Sequence, residues 1–316
     1  MCSSDLGLHP TGSVAAFAGA LIAGKLWGLN AEQLTLALGN ALSTSPVSSR
    51  QYSLEGAWTK RAHPGWGAAA GITAAALARG GFMGPKQIFE GEYNFYRSMS
   101  GARYDECDLS LATKDLGTVW ESARVAVKPI PACHLVHACS DAALALSKAH
   151  AFKPADVKAI RALVPQQAIH VVCEPMVKRR RPVSSYAAQF SVFHAVAASI
   201  VRGKFGLAEM EPEIYNDAAV LALSDKVNYE ADAKGEYPKY FSGEVIITLN
   251  DGRELRHREH INRGAADRPI MRADVEAKFF DNAIMAVSRS RAERVRDAIY
   301  QADALNARAL EGVLAG

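Results

Sequence analysis

The sequence predicts an α+β protein. Both ends of the chain build one all-helical domain, and the middle forms an inserted α+β lid domain with a mostly antiparallel sheet. Residues 1–123 are rich in small helix-forming residues, β-favouring runs begin near residue 124, and residues 268–316 return to a helical period. The predicted partition is therefore 1–123 and 268–316 for the helical domain, and 124–267 for the lid.

The first helical part contains three long helices. Residues 13–29 read SVAAFAGALIAGKLWGL and are apolar on nearly all sides, which is typical of a buried helix. Asn30 can cap a second helix over 31–42, and the Gly/Ala-rich residues 65–79 predict a third, which Gly80 and Gly81 end. Because these side chains are small, the helices can pack closely. A further short helix is expected at 85–90.

The inserted domain combines short strands with two helices. Asn250-Asp251-Gly252 predicts a hairpin turn between the last two strands. Helices are expected at 138–149 and 187–202, and Gly203 stops the second one. The β-favouring runs are 124–127, 157–164, 227–230, 244–249 and 254–257. The C-terminal part then predicts helices at 274–288 and 291–314.

Composition limits the classes of function. Hydrophobic residues make up 49% of the chain and charged residues 22%, with a net charge of +3. This predicts a globular protein with a large core and gives no broad positive field for nucleic acid or an anionic membrane. The basic run at 178–181 is either a solvated loop or an anion-binding segment. Since no apolar stretch is long enough to span a membrane and no secretory signal precedes the first helix, we expect a cytoplasmic protein.

The cysteines and the missing motifs narrow the chemistry further. Five cysteines without a CxxC pair predict reduced thiols. Cys133, His134, His137 and Cys139 lie close together, but their spacing matches no common zinc or iron–sulfur pattern, so we expect no metal. The motifs of nucleotide-binding proteins, serine hydrolases and metalloproteases do not occur in the sequence, which removes support for those classes.

Two candidate sites for an anion lie in the first third of the chain. Lys60, Arg61 and His63 place two cations and an imidazole within four residues, which forms either an anion site or a surface cluster. His9 precedes Pro10 at the start of the first helix. The free N–H groups of a helix start attract carboxylates; otherwise His9 is a loop residue.

A third candidate segment lies at the predicted junction of the two domains, where clefts usually form. Lys128 is followed by Pro129 and Pro131, which stiffen the turn after it. His134 and His137 come next, on one face at the start of a helix. The alternative is a stiff turn that carries a surface lysine.

His194 lies on an otherwise apolar helix and has Gln189 and Ser191 as polar company. It is either a satisfied core histidine or an acid/base group that faces a site.

Six short motifs occur in order between residues 7 and 280. They are HPTG at 9–12, TKRAHPG at 59–65, LARGGFMGP at 77–85, VKPIPACH at 127–134, AQFS at 188–191, and DG at 251–252 with KF at 278–279. Together they resemble the signatures of the MmgE/PrpD family, which includes 2-methylcitrate dehydratases, cis-aconitate decarboxylases and an iminodisuccinate epimerase.

The resemblance implies a two-domain fold, a homodimer, and activity without a metal or organic cofactor. The residues that it implies as catalytic, lining a cleft between the domains, are His9, Lys60, Lys128 and His194. The predicted substrate-binding residues are Arg61, His63, His134, Gln189 and Ser191.

The chain departs from the family pattern at three places. Ile130 stands where an aromatic residue is usual, and His194 stands where family members often have Tyr. The family's opening helical segment supplies an acidic residue, a threonine and a further histidine, and no such segment precedes His9 here. We therefore expect the beginning of the fold to lie upstream of Met1.

The implied function is that of a lyase acting on a small di- or tricarboxylate, with lysines holding carboxylates and histidines moving protons. A 2-methylcitrate dehydratase is the first expectation, and a cis-aconitate-type decarboxylase or an epimerase would use the same site. The alternative from another class is a catalytically incompetent relative that serves in binding or dimerisation. Neither nucleic acid nor a membrane is expected as a partner.

Overall fold

The computed structural model describes residues 7–315, except for the side chains of Ser53 and Leu54. The chain divides into two units, Met1–Val119 and Trp120–Gly316. The C-terminal helices fall in the second unit. That these helices complete the N-terminal helical domain stays a prediction.

The described helices and strands follow one another in the order helical, mixed, helical. The helices are α1 (Pro10–Leu26), α2 (Ala31–Thr44), α3 (Tyr52–Glu55), α4 (His63–Arg79), α5 (Phe95–Ser100), α6 (His137–Ala149), α7 (Ile169–Val172), α8 (Met176–Arg180), α9 (Ser185–Ala188), α10 (Val192–Arg202), α11 (Pro212–Tyr215), α12 (Ala218–Asp225), α13 (Arg272–Ala283), α14 (Arg289–Tyr300) and α15 (Ala307–Ala315). The strands are β1 (Val157–Val164), β2 (Val227–Ala231), β3 (Gly243–Leu249) and β4 (Glu254–Glu259).

Helices α1 and α4 of the first unit run in the same direction and touch through glycines. A Cβ on Gly67 would lie 2.4 Å from the carbonyl oxygen of Gly12, and one on Gly71 would lie 2.1 Å from that of Ala16. The contacts advance by one helical turn on both helices together, so the helices are parallel. Their N-termini therefore lie at the same end, which brings His9 and His63 together.

The second unit is built around a four-stranded sheet of order β2-β1-β3-β4. The pairs β1–β3 and β3–β4 are antiparallel, and β1–β2 is parallel, so the sheet is mostly antiparallel, as predicted. Ile160 and Ile247 face each other across β1 and β3 and are fully buried. They belong to the same core as Phe193 of α10, and burial of such side chains is the main stabilising contribution to the unit.

Many predicted elements are confirmed. The strands at 157–164, 227–230, 244–249 and 254–257 occur within a residue or two of the expected bounds, and the turn at 250–252 joins β3 to β4. Asn30 caps α2 by accepting from the backbone N–H of Gln33 at 2.9 Å. Gly203 ends α10 in the left-handed conformation with φ of 68°. These features depend on local residue patterns, which explains why the sequence predicts them.

Two predicted elements are wrong because contacts distant in sequence hold their backbone. Residues 124–127 form no strand. Val127 donates to the carbonyl of Gly264, but Pro129 soon follows and cannot donate to a ladder. Residues 85–90 form no helix, because the backbone of Pro85 rests against Gly39, where an added Cβ would lie 2.1 Å from the Pro85 oxygen.

Two predicted helices are split by caps. The helix predicted at 187–202 breaks at Ser191, whose hydroxyl accepts from the N–H of His194 at 2.9 Å and so starts α10 there. The helix predicted at 291–314 breaks after Tyr300, and Asn306 caps α15 by accepting from the N–H of Ala309. A serine or an asparagine can lie inside a helix or cap its start, and the residue type alone does not show which. Here both side chains accept from backbone N–H groups and begin a new helix.

The basic run at 178–181 lies at the end of α8 rather than in a loop, and its three arginines make hydrogen bonds within the second unit. Arg180 donates to the carbonyl of Val227 at 2.7 Å, and Arg181 pairs with Asp225 at 2.6 Å. Arg179 is buried and donates to the carbonyl of Glu174. The three arginines of the run are thus engaged within the second unit.

Other expectations concern membranes, metals and thiols. Within residues 7–315, no helix is long and apolar enough to cross a membrane. In the same range, no group of three or more His, Cys, Asp or Glu side chains is placed to hold a metal ion. The described cysteines, Cys107, Cys133, Cys139 and Cys173, are unpaired thiols. Cys2 and the rest of the opening segment lie outside the described residues.

Candidate active site

The first unit carries a pair of histidines at the start of two helices. His9 is the residue immediately before α1, and His63 is the first residue of α4. Because the two helices are parallel, these residues meet, and the distance between their Nδ1 atoms is 3.0 Å. Tyr52 packs edge-on against both rings, with centroids 5.8 Å from His9 and 5.6 Å from His63. Tyr52 thus packs against both members of the pair.

Positive charge concentrates around this pair. The N-termini of two 17-residue helices each present free N–H groups and the positive end of the helix dipole. Lys60 and Arg61 lie in the 3₁₀ turn Trp58–Arg61 just before α4, and the Arg61 guanidinium lies 5.0 Å from the centroid of Trp58. Such a surrounding favours a bound carboxylate.

The same surroundings keep the imidazoles neutral. Burial, followed by the charges of Lys60, His63 and Arg50, lowers the pKa of His9 to about 4. Burial and the charge of Lys60 also lower the pKa of His63. Both causes penalise the protonated form, so both imidazoles are neutral at neutral pH.

A cavity of about 450 Å³ adjoins the pair. His63, Tyr52, Ser48 and Thr59 line it, together with Gln51 and Glu55, which are hydrogen-bonded to each other at 2.7 Å. The volume suits a small molecule rather than a polymer. His63 therefore borders this cavity, and its contact with His9 connects the cavity to the other ring of the pair.

Ser48 supports the pair through its backbone but is itself strained. Its carbonyl accepts from the N–H of His9 at 2.8 Å, and its φ is 54°, in the left-handed region. Its buried hydroxyl has no hydrogen-bond partner among residues 7–315. Both features are costs to the folded state that a glycine would not have.

We expect Ser48→Gly to raise the free energy of unfolding by about 1 kcal/mol, because glycine adopts this conformation without strain. Urea unfolding of the variant and the wild type measures the difference. Ser43→Gly is the matched control: Ser43 is exposed in the last turn of α2, so glycine there should be destabilising. An unchanged or lower stability for Ser48→Gly would show that this backbone is not strained.

In the second unit, the turn that carries Lys128 is held by four hydrogen bonds. Val127 donates to the carbonyl of Gly264 at 2.8 Å, and the Lys128 carbonyl accepts from the Lys278 ammonium of α13. The Lys128 ammonium donates to the Ala132 carbonyl at 3.2 Å, and the Cys133 N–H donates to the Gln189 carbonyl at 2.9 Å. An ammonium has three N–H donors, so this contact leaves Lys128 able to bind a carboxylate.

His134 and His137 follow that turn, with ring centroids 4.8 Å apart. The Asn262 amide oxygen accepts from the Phe241 N–H, so its NH₂ group faces the His134 Nε2 at 3.0 Å. His134 therefore accepts at Nε2 and carries its proton on Nδ1. Burial and the charge of Lys128 lower its pKa to about 4.

His137 is deeper than His134. It is fully buried, its Nε2 lies 3.4 Å from the Ala132 carbonyl, and its Nδ1 has no partner among the described residues. Burial, then the charges of His134 and Lys128, lower its pKa to about 2. His137 is therefore neutral at neutral pH.

Of the predicted site residues in the second unit, His194 and Ser191 are buried, and Gln189 is partly exposed. His194 is buried, and its Nε2 lies 2.7 Å from the carbonyl of Glu209, to which it donates. The Ser191 hydroxyl donates to the Arg179 carbonyl while it caps α10. Gln189 contributes its backbone carbonyl to Cys133. His194 is thus placed as the satisfied core histidine that was the alternative, and its position gives no support to a catalytic role.

The structure thus brings the predicted residues together in two groups. His9, Lys60, Arg61 and His63 form the first, and Lys128 with His134 forms the second. Sequence reasoning missed Tyr52, Ser48 and Asn262 entirely, because ordinary residue types without a motif gave no signal. It noted Lys278 only as part of the KF pair, although Lys278 holds the Lys128 turn and lines a second cavity of about 450 Å³ with Arg263 and Pro129.

Each group combines ammonium or guanidinium cations with neutral imidazoles, which is the chemistry of a protein that binds a small carboxylate and moves a proton. Comparison with known families agrees with that class. The MmgE/PrpD N-terminal domain matches residues 1–107, and the MmgE/PrpD C-terminal domain matches residues 130–303. The chain belongs to the MmgE/PrpD family, as its motifs predicted.

Several curated relatives are named as cis-aconitate decarboxylases or as proteins similar to them. The chain is 26% identical over 321 residues to a cis-aconitate decarboxylase of Aspergillus terreus, covering 96% of this chain and 64% of the relative. It is 26% identical over 294 residues to the cis-aconitate decarboxylase-like protein oryM of Aspergillus oryzae, covering 89% and 59%. It is 28% identical over 289 residues to the cis-aconitate decarboxylase of Homo sapiens, covering 89% and 57%. The chain thus spans 57–64% of the length of these relatives.

Proposed function

We propose that this protein is a lyase that removes CO₂ from a small unsaturated tricarboxylate of the cis-aconitate type. The observation that carries the proposal is the His9–His63 pair, which lies beside Lys60 at the N-termini of two parallel helices. It combines a site for carboxylates with a group that can supply a proton. The names of the relatives support the substrate class.

The reaction needs charge stabilisation and one proton. In cis-aconitate, the carboxylate on the CH₂ group is one carbon away from the double bond. When its C–C bond breaks, CO₂ leaves, and the electron pair spreads through the double bond onto a neighbouring carboxylate. A proton then adds to carbon, which leaves a five-carbon unsaturated dicarboxylate. Cations that meet the developing negative charge lower the barrier.

Residues of this chain fit those two tasks. Lys60 and Lys128 bind substrate carboxylates, and His9 supplies the proton. A bound polycarboxylate offsets the positive charges that hold the pKa of His9 at about 4, so the pKa rises towards its ordinary value when the substrate arrives. Protonation of the histidine pair is thus coupled to substrate binding.

The proposal revises the first expectation from the sequence. That expectation was a 2-methylcitrate dehydratase; the names of the relatives favour the runner-up, a decarboxylase. Nothing in the geometry favours water elimination over loss of CO₂. The homodimer implied by the family resemblance stays a prediction.

Incubation with a panel of substrates tests the reaction type. The protein is mixed separately with cis-aconitate, 2-methylcitrate, citrate and iminodisuccinate, and products are followed by NMR. We expect conversion of cis-aconitate to a five-carbon dicarboxylate and no conversion of the others. Turnover of 2-methylcitrate would return the dehydratase to first place. Binding of tricarboxylates without turnover of any of them would favour the catalytically incompetent relative.

A further inference from the structure

The His9–His63 contact determines more than proximity. Two ring nitrogens at 3.0 Å can share a hydrogen bond only if one carries a proton and the other does not. A neutral imidazole has one N–H, on either Nδ1 or Nε2. The ring that donates through Nδ1 therefore has a bare Nε2, and the ring that accepts at Nδ1 has its proton on Nε2.

We propose that His9 and His63 form a two-histidine proton relay in which His63 donates its Nδ1 proton to His9, and His9 presents an Nε2–H to the substrate. This rests on the proposed function for its use, but the proton arrangement itself does not. It gives His63 a role beyond the carboxylate binding predicted from the sequence: His63 supplies the proton that His9 delivers.

The proposed relay starts at His63, the ring that lines the cavity. His63 lines the cavity beside the pair, so its bare Nε2 can take a proton from water there. No described residue forms a hydrogen bond with the Nε2 atom of either ring. Tyr52 packs edge-on against both rings, and the N–H of His9 is tied to Ser48, so the rings keep the orientation that the shared proton needs.

The surrounding charges control when the histidine pair takes up an additional proton. Lys60 and Arg50 act on His9, and Lys60 acts on His63; in both cases they oppose an additional proton. Glu55 also lines the cavity, where Gln51 donates to it. A polycarboxylate beside the pair offsets the cations, so loading and substrate binding are coupled.

The proton balance closes. A proton from water adds to the His63 Nε2 and makes that ring an imidazolium. The His9 Nε2–H then goes to the substrate carbon while the shared proton crosses from the His63 Nδ1 to the His9 Nδ1. Both rings are neutral again, each with its proton on the other nitrogen, and exchange with water resets them. One proton enters and one leaves, as loss of CO₂ from one carboxylate requires.

The proton arrangement can be measured without turnover. Long-range ¹H–¹⁵N correlation spectra of the ¹⁵N-histidine-labelled protein at pH 7.5 distinguish the two tautomers of each ring, and His9→Gln and His63→Gln assign the signals. We expect an Nε2–H tautomer for His9 and an Nδ1–H tautomer for His63. If both rings show the same tautomer, or both are doubly protonated, the relay is overturned.

Kinetics then separate the relay from simple orientation. A glutamine at position 63 can still hydrogen-bond to His9 but cannot pass a proton on. We expect His63→Gln to lower kcat on cis-aconitate by about 100-fold, with a smaller change in KM and an altered pH profile. His150→Gln, an exposed residue at the end of α6, is the matched control and should behave as wild type. A wild-type kcat for His63→Gln would contradict the relay.

Failure of the proposed function is distinguishable from failure of the relay. If the wild-type protein leaves cis-aconitate unchanged, the decarboxylase proposal falls, and the tautomer measurement still decides the arrangement of the pair. Thermal unfolding of each variant establishes that it is folded before its spectrum or its kinetics are interpreted.

Discussion

Replacing Lys128 or Lys60 by methionine is expected to lower kcat/KM on cis-aconitate by about 10²–10³, the loss typical of one electrostatic donor in an active site. Methionine keeps most of the length of the side chain but removes the charge that meets the developing carboxylate charge. Since that charge grows in the transition state, most of the loss should appear in kcat rather than in KM. Steady-state kinetics with cis-aconitate measure both constants.

The controls separate loss of charge from loss of fold. Lys86→Met removes an exposed lysine that pairs with Glu32 at 3.0 Å, and it should leave kcat/KM unchanged. Lys128→Met also removes the contact with the Ala132 carbonyl, so its unfolding curve must resemble that of the wild type. A folded Lys128→Met variant with wild-type kcat/KM would remove Lys128 from the site.

Mild acid is expected to destabilise the protein through His137. Burial lowers the pKa of His137 from 6.5 to about 2 in the folded protein. Above pH 6.5 the ring is neutral whether the chain is folded or not, so it has no effect. Below pH 6.5 the unfolded chain binds a proton that the folded chain excludes. The free energy of unfolding therefore decreases as the pH is lowered below 6.5, by up to about 1.4 kcal/mol per pH unit from this one residue.

The measurement is urea unfolding of the wild type and His137→Leu between pH 7.5 and 4.5. Leucine is close in size and does not titrate, so the variant should show a shallower loss of stability below pH 6.5. His150→Leu, which changes an exposed histidine at the end of the same helix, should keep the wild-type slope. Identical slopes for wild type and His137→Leu would contradict the neutral burial of this ring.

The parts of the fold that the sequence predicted are those that depend on local pattern. β3, β4 and their turn follow from β-favouring residues around Asn250-Asp251-Gly252. The split helices were missed because a hydroxyl such as that of Ser191 can lie on a helix face or cap a helix, and only its contact with His194 decides which. Residues 85–90 were mispredicted because packing against Gly39 overrides a mild helical period.

The candidate site was predictable where motifs carry it and not where packing does. His9, Lys60, His63 and Lys128 stand in motifs, so the sequence marked them. The 3.0 Å contact of His9 with His63 depends on α1 and α4 running parallel. Gly67 and Gly71 allow the close approach of these helices, but their presence in the sequence does not predict it. His194 has polar neighbours in sequence, yet its ring turns to the Glu209 carbonyl. Sequence spacing does not reveal that His194 is buried.

The most direct test of the account is the stoichiometry of the reaction in D₂O. The protein is incubated with cis-aconitate, released CO₂ is quantified, and the product is analysed by NMR and mass spectrometry. The account predicts one CO₂ for each cis-aconitate consumed and one deuterium on carbon in the five-carbon product. A six-carbon product formed without release of CO₂ would contradict it.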